Sequence, residues 1–168
     1  MELLLVRHGR AEDRLQFARS GLDDAERPLT AEGRKRTKIA VRGLRRLLPT
    51  LQSVVSSPLL RACQTADYLC SSYDLPRQLR PELAPDGDRQ ALLDWLAAQP
   101  NQTPIALVGH EPDLGRFAGW LLAGATAPPF LLLKKGACCL IEMPAPIAPG
   151  SGRLRWLLSA QQLRRIGV

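Results

Sequence analysis

Leu3-Leu4-Leu5-Val6-Arg7-His8-Gly9 is an apolar run closed by an arginine, a histidine and a glycine, and Ile105-Ala106-Leu107-Val108-Gly109-His110-Glu111-Pro112 repeats the arrangement two-thirds of the way along the chain. These two stretches hold the only two histidines in the sequence. Short apolar runs bounded by turn residues read as buried strands of a parallel sheet. In an open α/β sheet, ligands bind beyond the carboxyl ends of parallel strands, so two strand-ending histidines, each followed by a turn, are expected to converge on one site.

Outward from these strands, helical and strand-like segments alternate without an internal repeat, which predicts an α/β protein with a mostly parallel sheet. After strand Leu3 to Val6 comes a polar loop from Gly9 to Leu29. Thr30 is the expected N-cap of a helix running to about Leu48 and stopped by Pro49. Ser53 to Ser56 reads as a β-branched strand. Ser57-Pro58 then opens a helix to about Cys70, with serine as N-cap and proline at the first helical position. Leu79 to Leu83 reads as a short extended piece, Asp88 as the cap of a helix carrying Leu92, Leu93, Trp95 and Leu96, and Pro112-Asp113 as the start of a helix ended by Gly124. Lys134 to Met143 and Arg153 to Leu158 look like a strand pair joined by the Pro/Gly-rich loop Pro144 to Gly152, at the sheet edge. A last helix is expected around Gln161 to Ile166.

The chain has 168 residues, 45% of them hydrophobic and 23% charged. That fits one ordinary globular domain over residues 1–168, large enough to bury a core. The apolar start is too short for a signal h-region and no run reaches membrane-spanning length, so a cytoplasmic location is expected. Cys63, Cys70, Cys138 and Cys139 form no C-x-x-C pair and have no histidine nearby, so they read as reduced, mostly buried small hydrophobes. Cys63 and Cys70 fall on one helix face.

Net charge is +7, concentrated in Arg34, Lys35, Arg36, Lys38, Arg42, Arg45 and Arg46. These residues read as the solvated face opposite the apolar stripe Thr37, Ala40, Val41, Leu44, Leu47 and Leu48. The other reading is a docking patch for an acidic or phosphorylated partner. No aromatic residues interleave with the bases, which argues against nucleic acid.

The chemistry gathers on four residues. Arg7 and His8 sit where a strand turns, so both can face the site. Arg61 lies in the first turn of a helix, where the dipole and free N–H groups already favour an anion. His110 follows Gly109, which permits close backbone approach. Two guanidiniums and two imidazoles around one point suit a phosphoryl group. A neutral imidazole of ordinary pKa, roughly 6.5, is a nucleophile at pH 7, so His8 is expected to attack phosphorus and form a phosphohistidine intermediate. Arg7 and Arg61, with His110 protonated or donating, can hold the equatorial oxygens, so that no metal and no other cofactor is required. Glu82 is the candidate proton donor, first acid and then base. It reads equally well as an exposed loop glutamate; Asp13, Asp23 and Asp24 are the fallback acids. Taken alone, His110 would read as a hydrogen-bonded turn histidine and Arg61 as a surface helix arginine.

These residues complete a resemblance to the histidine phosphatase superfamily, once called the phosphoglycerate mutase-like family. Its matches are Arg7-His8-Gly9, then Arg27-Pro28-Leu29-Thr30 with Gly33, then Ser56-Ser57-Pro58-Leu59-Leu60-Arg61-Ala62-Cys63-Gln64-Thr65-Ala66, then Val108-Gly109-His110. The resemblance implies a three-layer α/β/α sandwich with a mostly parallel central sheet and an antiparallel edge. Leu79 to Asp88 and Gly109 to Pro112 resemble the small SixA-type phosphohistidine phosphatases, and the chain leaves little room for the insertions that wall off a small substrate in larger members. What this implies is removal of phosphate from a histidine of a phosphorelay or phosphotransfer protein, with phosphate or vanadate as active-site ligands. Two other readings stand beside it: a phosphatase of a small phosphate ester or sugar phosphate, and a noncatalytic phosphate-binding module.

Overall fold

The computed structural model describes residues 1–100, 104–125 and 131–168. In chain order the elements are β1 (Glu2–Arg7), α1 (Arg14–Ala18), α2 (Ala31–Leu47), β2 (Ser53–Ser56), α3 (Leu60–Tyr73), β3 (Arg77–Leu79), α4 (Arg89–Ala97), β4 (Ile105–Gly109), α5 (Asp113–Ala123), β5 (Cys138–Glu142), β6 (Arg153–Leu158) and α6 (Ala160–Ile166), with 3-10 turns at Asp24–Glu26 and Pro81–Leu83. Among the described residues six strands form one sheet in the order β3-β2-β4-β1-β5-β6. The strands from β3 to β1 are parallel neighbours, whereas β5 and β6 join antiparallel at one edge.

Period-two alternation in the central strands divides the core into two faces. Leu3, Leu5, Val55, Ile105 and Leu107 point to one side, where they meet Leu92, Leu93 and Leu96 of α4 and Leu114, Phe117 and Leu121 of α5. Leu4, Val6, Val54, Ala106 and Val108 point to the other, against Ala40, Val41 and Leu44 of α2, Ala62, Ala66 and Leu69 of α3, and Leu163 of α6. This is the three-layer α/β/α sandwich. Leu3, Leu4 and Leu5 are fully buried, each contributing about 1.5–3 kcal/mol.

Local capping follows the sequence closely. The Thr30 hydroxyl accepts the Gly33 N–H, Asp88 accepts from Gln90 and Ala91, and Gly124 ends α5 in the left-handed conformation.

Five expectations need correction. The loop from Gly9 to Leu29 contains α1 and a 3-10 turn, each started by an aspartate, Asp13 and Asp23, that accepts backbone N–H groups. Ser57 and Pro58 precede α3 rather than opening it: the Ser57 hydroxyl accepts the Leu59 N–H, at 3.3 Å, too early to cap the helix, and Leu59 takes the cap position without a side-chain bond. The extended piece near Leu79 ends there, and Pro81–Leu83 forms a 3-10 turn. The strand expected from Lys134 begins only at Cys138, since Gly136, with φ 74°, turns the chain and donates its N–H to the carbonyls of Arg7 and His8. Leu47 is exposed rather than part of the apolar stripe, since it lies on the solvent side of the last turn of α2.

The basic face of α2 is solvent-exposed, and several of its arginines tie down backbone. Arg34 donates to the Leu29 carbonyl, Arg45 to that of Ser72 while stacking over the Tyr73 ring, and Arg46 to those of Ile166 and Val168. All four cysteines are free thiols; Cys70 is half-buried and the others are buried.

Candidate active site

Sheet order builds the site. Strands β2, β4 and β1 are adjacent and parallel, so the residues that follow them emerge side by side: Ser57 after β2, His110 after β4 and His8 after β1. Arg7 pairs with Gly109 in the β1–β4 ladder, and the next N–H, that of His8, donates to the Gly109 carbonyl at 3.1 Å. The two imidazoles meet with ring centroids 5.0 Å apart and planes tilted by 52°. Arg7, His8, Arg61 and His110 all line one open cavity of about 760 Å³. The sequence expectation that these four residues converge is met.

Hydrogen bonds orient each ring. His8 Nδ1 lies 2.7 Å from the Gly9 carbonyl oxygen; a carbonyl only accepts, so Nδ1 carries the proton and Nε2 keeps a bare lone pair. Gly9 is fixed in turn, its N–H donating to Thr65 Oγ1 at 3.0 Å, while a Cβ at Gly9 would collide with Thr37 Oγ1. His110 Nε2 lies 2.8 Å from Ser57 Oγ, and its Nδ1 is buried without a partner among the described residues.

Both imidazoles are 5% exposed or less. Burial pushes the His8 pKa down to about 3, helped by His110, Arg61 and Arg7 and opposed by the bond to Gly9. Burial likewise pushes His110 down to about 3, with Arg61 and Arg7 adding to it and Asp24 opposing. Both rings are therefore neutral at pH 7 in the free protein. For His8 this is the form of a nucleophile. An arriving phosphate would offset the arginine charges that help hold His110 neutral.

The arginines are held from opposite sides. Arg7 donates from Nη1 to the Leu133 carbonyl at 2.7 Å, and the same loop is fastened by Glu111, whose carboxylate accepts the N–H groups of Leu133 and Gly115. Arg61, 4% exposed, donates Nη1 to the Asp24 carbonyl at 2.7 Å and places Nη2 3.1 Å from the Asp24 carboxylate. Arg27 binds that carboxylate at 2.7 Å and helps hold it well below the usual carboxylate range. Among the described residues the Nε atoms of both Arg7 and Arg61 are buried without a partner. Unpartnered buried donors cost about 1–3 kcal/mol each, and their gathering beside two imidazoles marks an anion site.

The candidate acids separate. Glu82 lies in the 3-10 turn after β3, its side chain 18% exposed, with Oε1 3.8 Å from Arg80 and Oε2 buried and unpartnered. It is therefore not the exposed loop glutamate of the alternative reading. It lines a smaller cavity of about 180 Å³ that shares His110, Asp86 and Asp113 with the main one. Asp13 and Asp23 serve as helix caps, and Asp24 is committed to Arg27 and Arg61.

Sequence reasoning passed over Ser57 as a ring partner, Thr65 as the support of Gly9, Glu111 as the loop fastener and Asp24 as the holder of Arg61. Ser57 and Thr65 stand inside the quoted Ser-Pro and Gln-Thr matches, so their positions were visible even though their bonds were not. Glu111 and Asp24 carried no signal separating them from other turn carboxylates.

Residues 3–85 match the model of the histidine phosphatase superfamily, branch 1. That span includes Arg7, His8, Arg61 and Glu82 and stops short of His110. An uncharacterized protein of Picosynechococcus is 41% identical over 95% of this chain and 96% of its own length. The phosphohistidine phosphatase SixA of Escherichia coli is 28% identical over 98% of this chain and 97% of its own. Among solved structures, that of the protein histidine phosphatase SixA complexed with tungstate superposes with a TM-score of 0.81 at 27% identity, covering 97% of this chain and 99% of that one. With its strand-end histidines side by side and Arg7 and Arg61 lining the same cavity, the chain belongs to the histidine phosphatase superfamily.

Proposed function

We propose that the chain is a metal-independent phosphatase that works through a phosphohistidine on His8 and removes phosphate from a histidine of a phosphotransfer protein. The observation that carries the reading is the bare Nε2 of His8, made available by the Nδ1 bond to Gly9 in a site that also holds the half-buried Arg7 and the buried Arg61. In the first step the Nε2 lone pair attacks phosphorus, the bond from phosphorus to the leaving nitrogen breaks, and the leaving imidazole takes a proton from solvent water in the open cavity. Arg7 and Arg61 hold the equatorial oxygens, and His110, fixed by Ser57, donates from its ring. In the second step water attacks the phosphohistidine, the phosphorus to Nε2 bond breaks, and His8 is regenerated with inorganic phosphate.

Glu82 is the proton donor and later acceptor for leaving groups that need one. An imidazole departs more readily than an alkoxide and makes less demand on it. Positive charge comes from the arginines and the nucleophile is a side chain, so no step calls for a metal-activated water. Similarity to SixA over nearly the whole length supports the phosphoprotein substrate, as does the open main cavity. The smaller cavity at Glu82 favours a second reading, a small phosphate ester whose alcohol would sit there. The same reading takes residues 1–168 as one domain, and the four free thiols fit a reducing cytoplasm. No helix among the described residues is long and apolar enough to cross a membrane.

The test is turnover in EDTA of a phosphohistidine-carrying phosphotransfer protein beside a panel of small phosphate esters, for wild type and His8→Ala. Preference for the phosphoprotein, lost in the variant, is expected. Preference for one ester would replace the substrate and keep the mechanism. Activity surviving in His8→Ala would refute the nucleophile, and inactivity on everything would leave a phosphate-binding module.

A further inference from the structure

A third cavity, of about 390 Å³, lies behind the phosphate-binding segment, between α2, α6 and the β1 and β5 strands. Val6, Ala40, Leu44, Leu69, Cys138 and Leu163 form its floor, all buried. No aromatic side chain and no carboxylate lines it, whereas the exposed residues Arg36, Lys134 and Lys135 and the half-buried Arg164 stand around its mouth. Close-packed interiors hold few voids larger than a water molecule, and this one falls in the range of small-ligand pockets, roughly 300–1,000 Å³.

We infer that this cavity is a binding site for a small aliphatic anion, a hydrocarbon chain carrying a single carboxylate, distinct from the phosphate site. The floor supplies aliphatic contacts and offers no ring for stacking, which selects a chain over an aromatic body. The cations at the mouth supply the partner for a charged head, while among the described residues only Arg36 of the four is paired with a carboxylate, that of Glu32. This cavity and the main one share a wall, since Arg7, Arg10 and Lys135 line both. Gly9, whose carbonyl orients the His8 ring, faces the aliphatic cavity. An occupant there touches the far side of the segment that positions His8.

Octanoate is the probe, with 1-octanol as the uncharged chain of equal length. Titration followed by calorimetry and by amide shifts should show saturable octanoate binding, with shifts centred on Ala40, Leu44 and Leu163, and binding should persist under saturating tungstate. Octanol and the surface double variant Lys134→Glu/Arg164→Glu should each weaken affinity about tenfold, the scale of two lost charge contacts. Ala40→Phe, which fills the floor, should abolish octanoate binding and leave tungstate affinity unchanged. The inference is overturned by absence of saturable octanoate binding to folded wild type. It is equally overturned if tungstate displaces octanoate one for one, or if affinity is indifferent to the rim charges. Should Ala40→Phe fail to fold, the rim variant and the tungstate competition still decide the matter.

Discussion

Acidification to pH 5 should cost this protein stability through its two histidines. Each imidazole is held near pKa 3 in the fold and returns to roughly 6.5 in the unfolded chain. A folded pKa depressed in this way has no effect above pH 6.5, where neither state is protonated, and withdraws stability as pH falls from 6.5 towards 3 because the unfolded state binds the proton first. At pH 5 the difference is about 1.5 pK units for each ring, or about 2 kcal/mol at 1.36 kcal/mol per unit. The pair together loses about 4 kcal/mol, a large part of the 5–15 kcal/mol typical of a domain. Glu111, whose carboxyl burial pushes up, works in the opposite sense and trims the loss. Comparison with a variant removes that contribution. Urea unfolding at pH 7.5 and 5.0 for wild type, His8→Gln and His110→Gln should show each variant losing about 2 kcal/mol less than wild type over the same interval. Because only two histidines exist, NMR titration of their ring protons reads the same quantity directly. Rings that titrate near 6.5, or variants as acid-sensitive as wild type, would refute the picture of a neutral buried pair.

Other perturbations address separate parts of the site. Ser57→Ala leaves His110 Nε2 buried without its partner and should destabilise by about 1–3 kcal/mol, read as a lower urea midpoint, and should weaken tungstate binding as well as the rate. Asp24→Asn removes an anion 3.1 Å from Arg61 and should tighten tungstate binding several-fold at low salt. Weaker binding would mean that Asp24 serves chiefly to aim the guanidinium. Glu82→Gln should slow hydrolysis of alkyl phosphates about 10²-fold or more, the lower end for a general acid, and leave phosphohistidine turnover nearly untouched. Equal loss on both substrates would make Glu82 a structural residue.

The sheet and four of the site residues were legible in the sequence because they depend on patterns that survive any tertiary context. Leu3 to Val6 and Ile105 to Val108 could only be buried strands, and the residues after them had to emerge at one rim. Thr30, Asp88 and Gly124 carried unambiguous capping chemistry. Two of the misreadings concerned a polar group whose distant partner was out of view. Ser57 looked like a helix cap, and its hydroxyl pairs with His110 as well as the Leu59 N–H; Asp24 looked like a loop acid, and Arg61 and Arg27 claimed its carboxylate. Such choices depend on which segments become neighbours, which no local window records. The cavity between α2 and α6 was invisible for the same reason, being a gap between elements that were each read correctly.

The ladder between β1 and β4 pairs Arg7 with Gly109 and so sets His8 beside His110. A slip of one residue along that ladder would shift one imidazole by about 3.3 Å relative to the other and turn its strand inside out, sending Leu3 and Leu5 to the opposite face. The burial that holds the leucines in place thus also gauges the distance between the imidazoles. A substitution deep in these strands can silence the enzyme without touching a polar atom, and drift in the surface loops leaves that spacing alone.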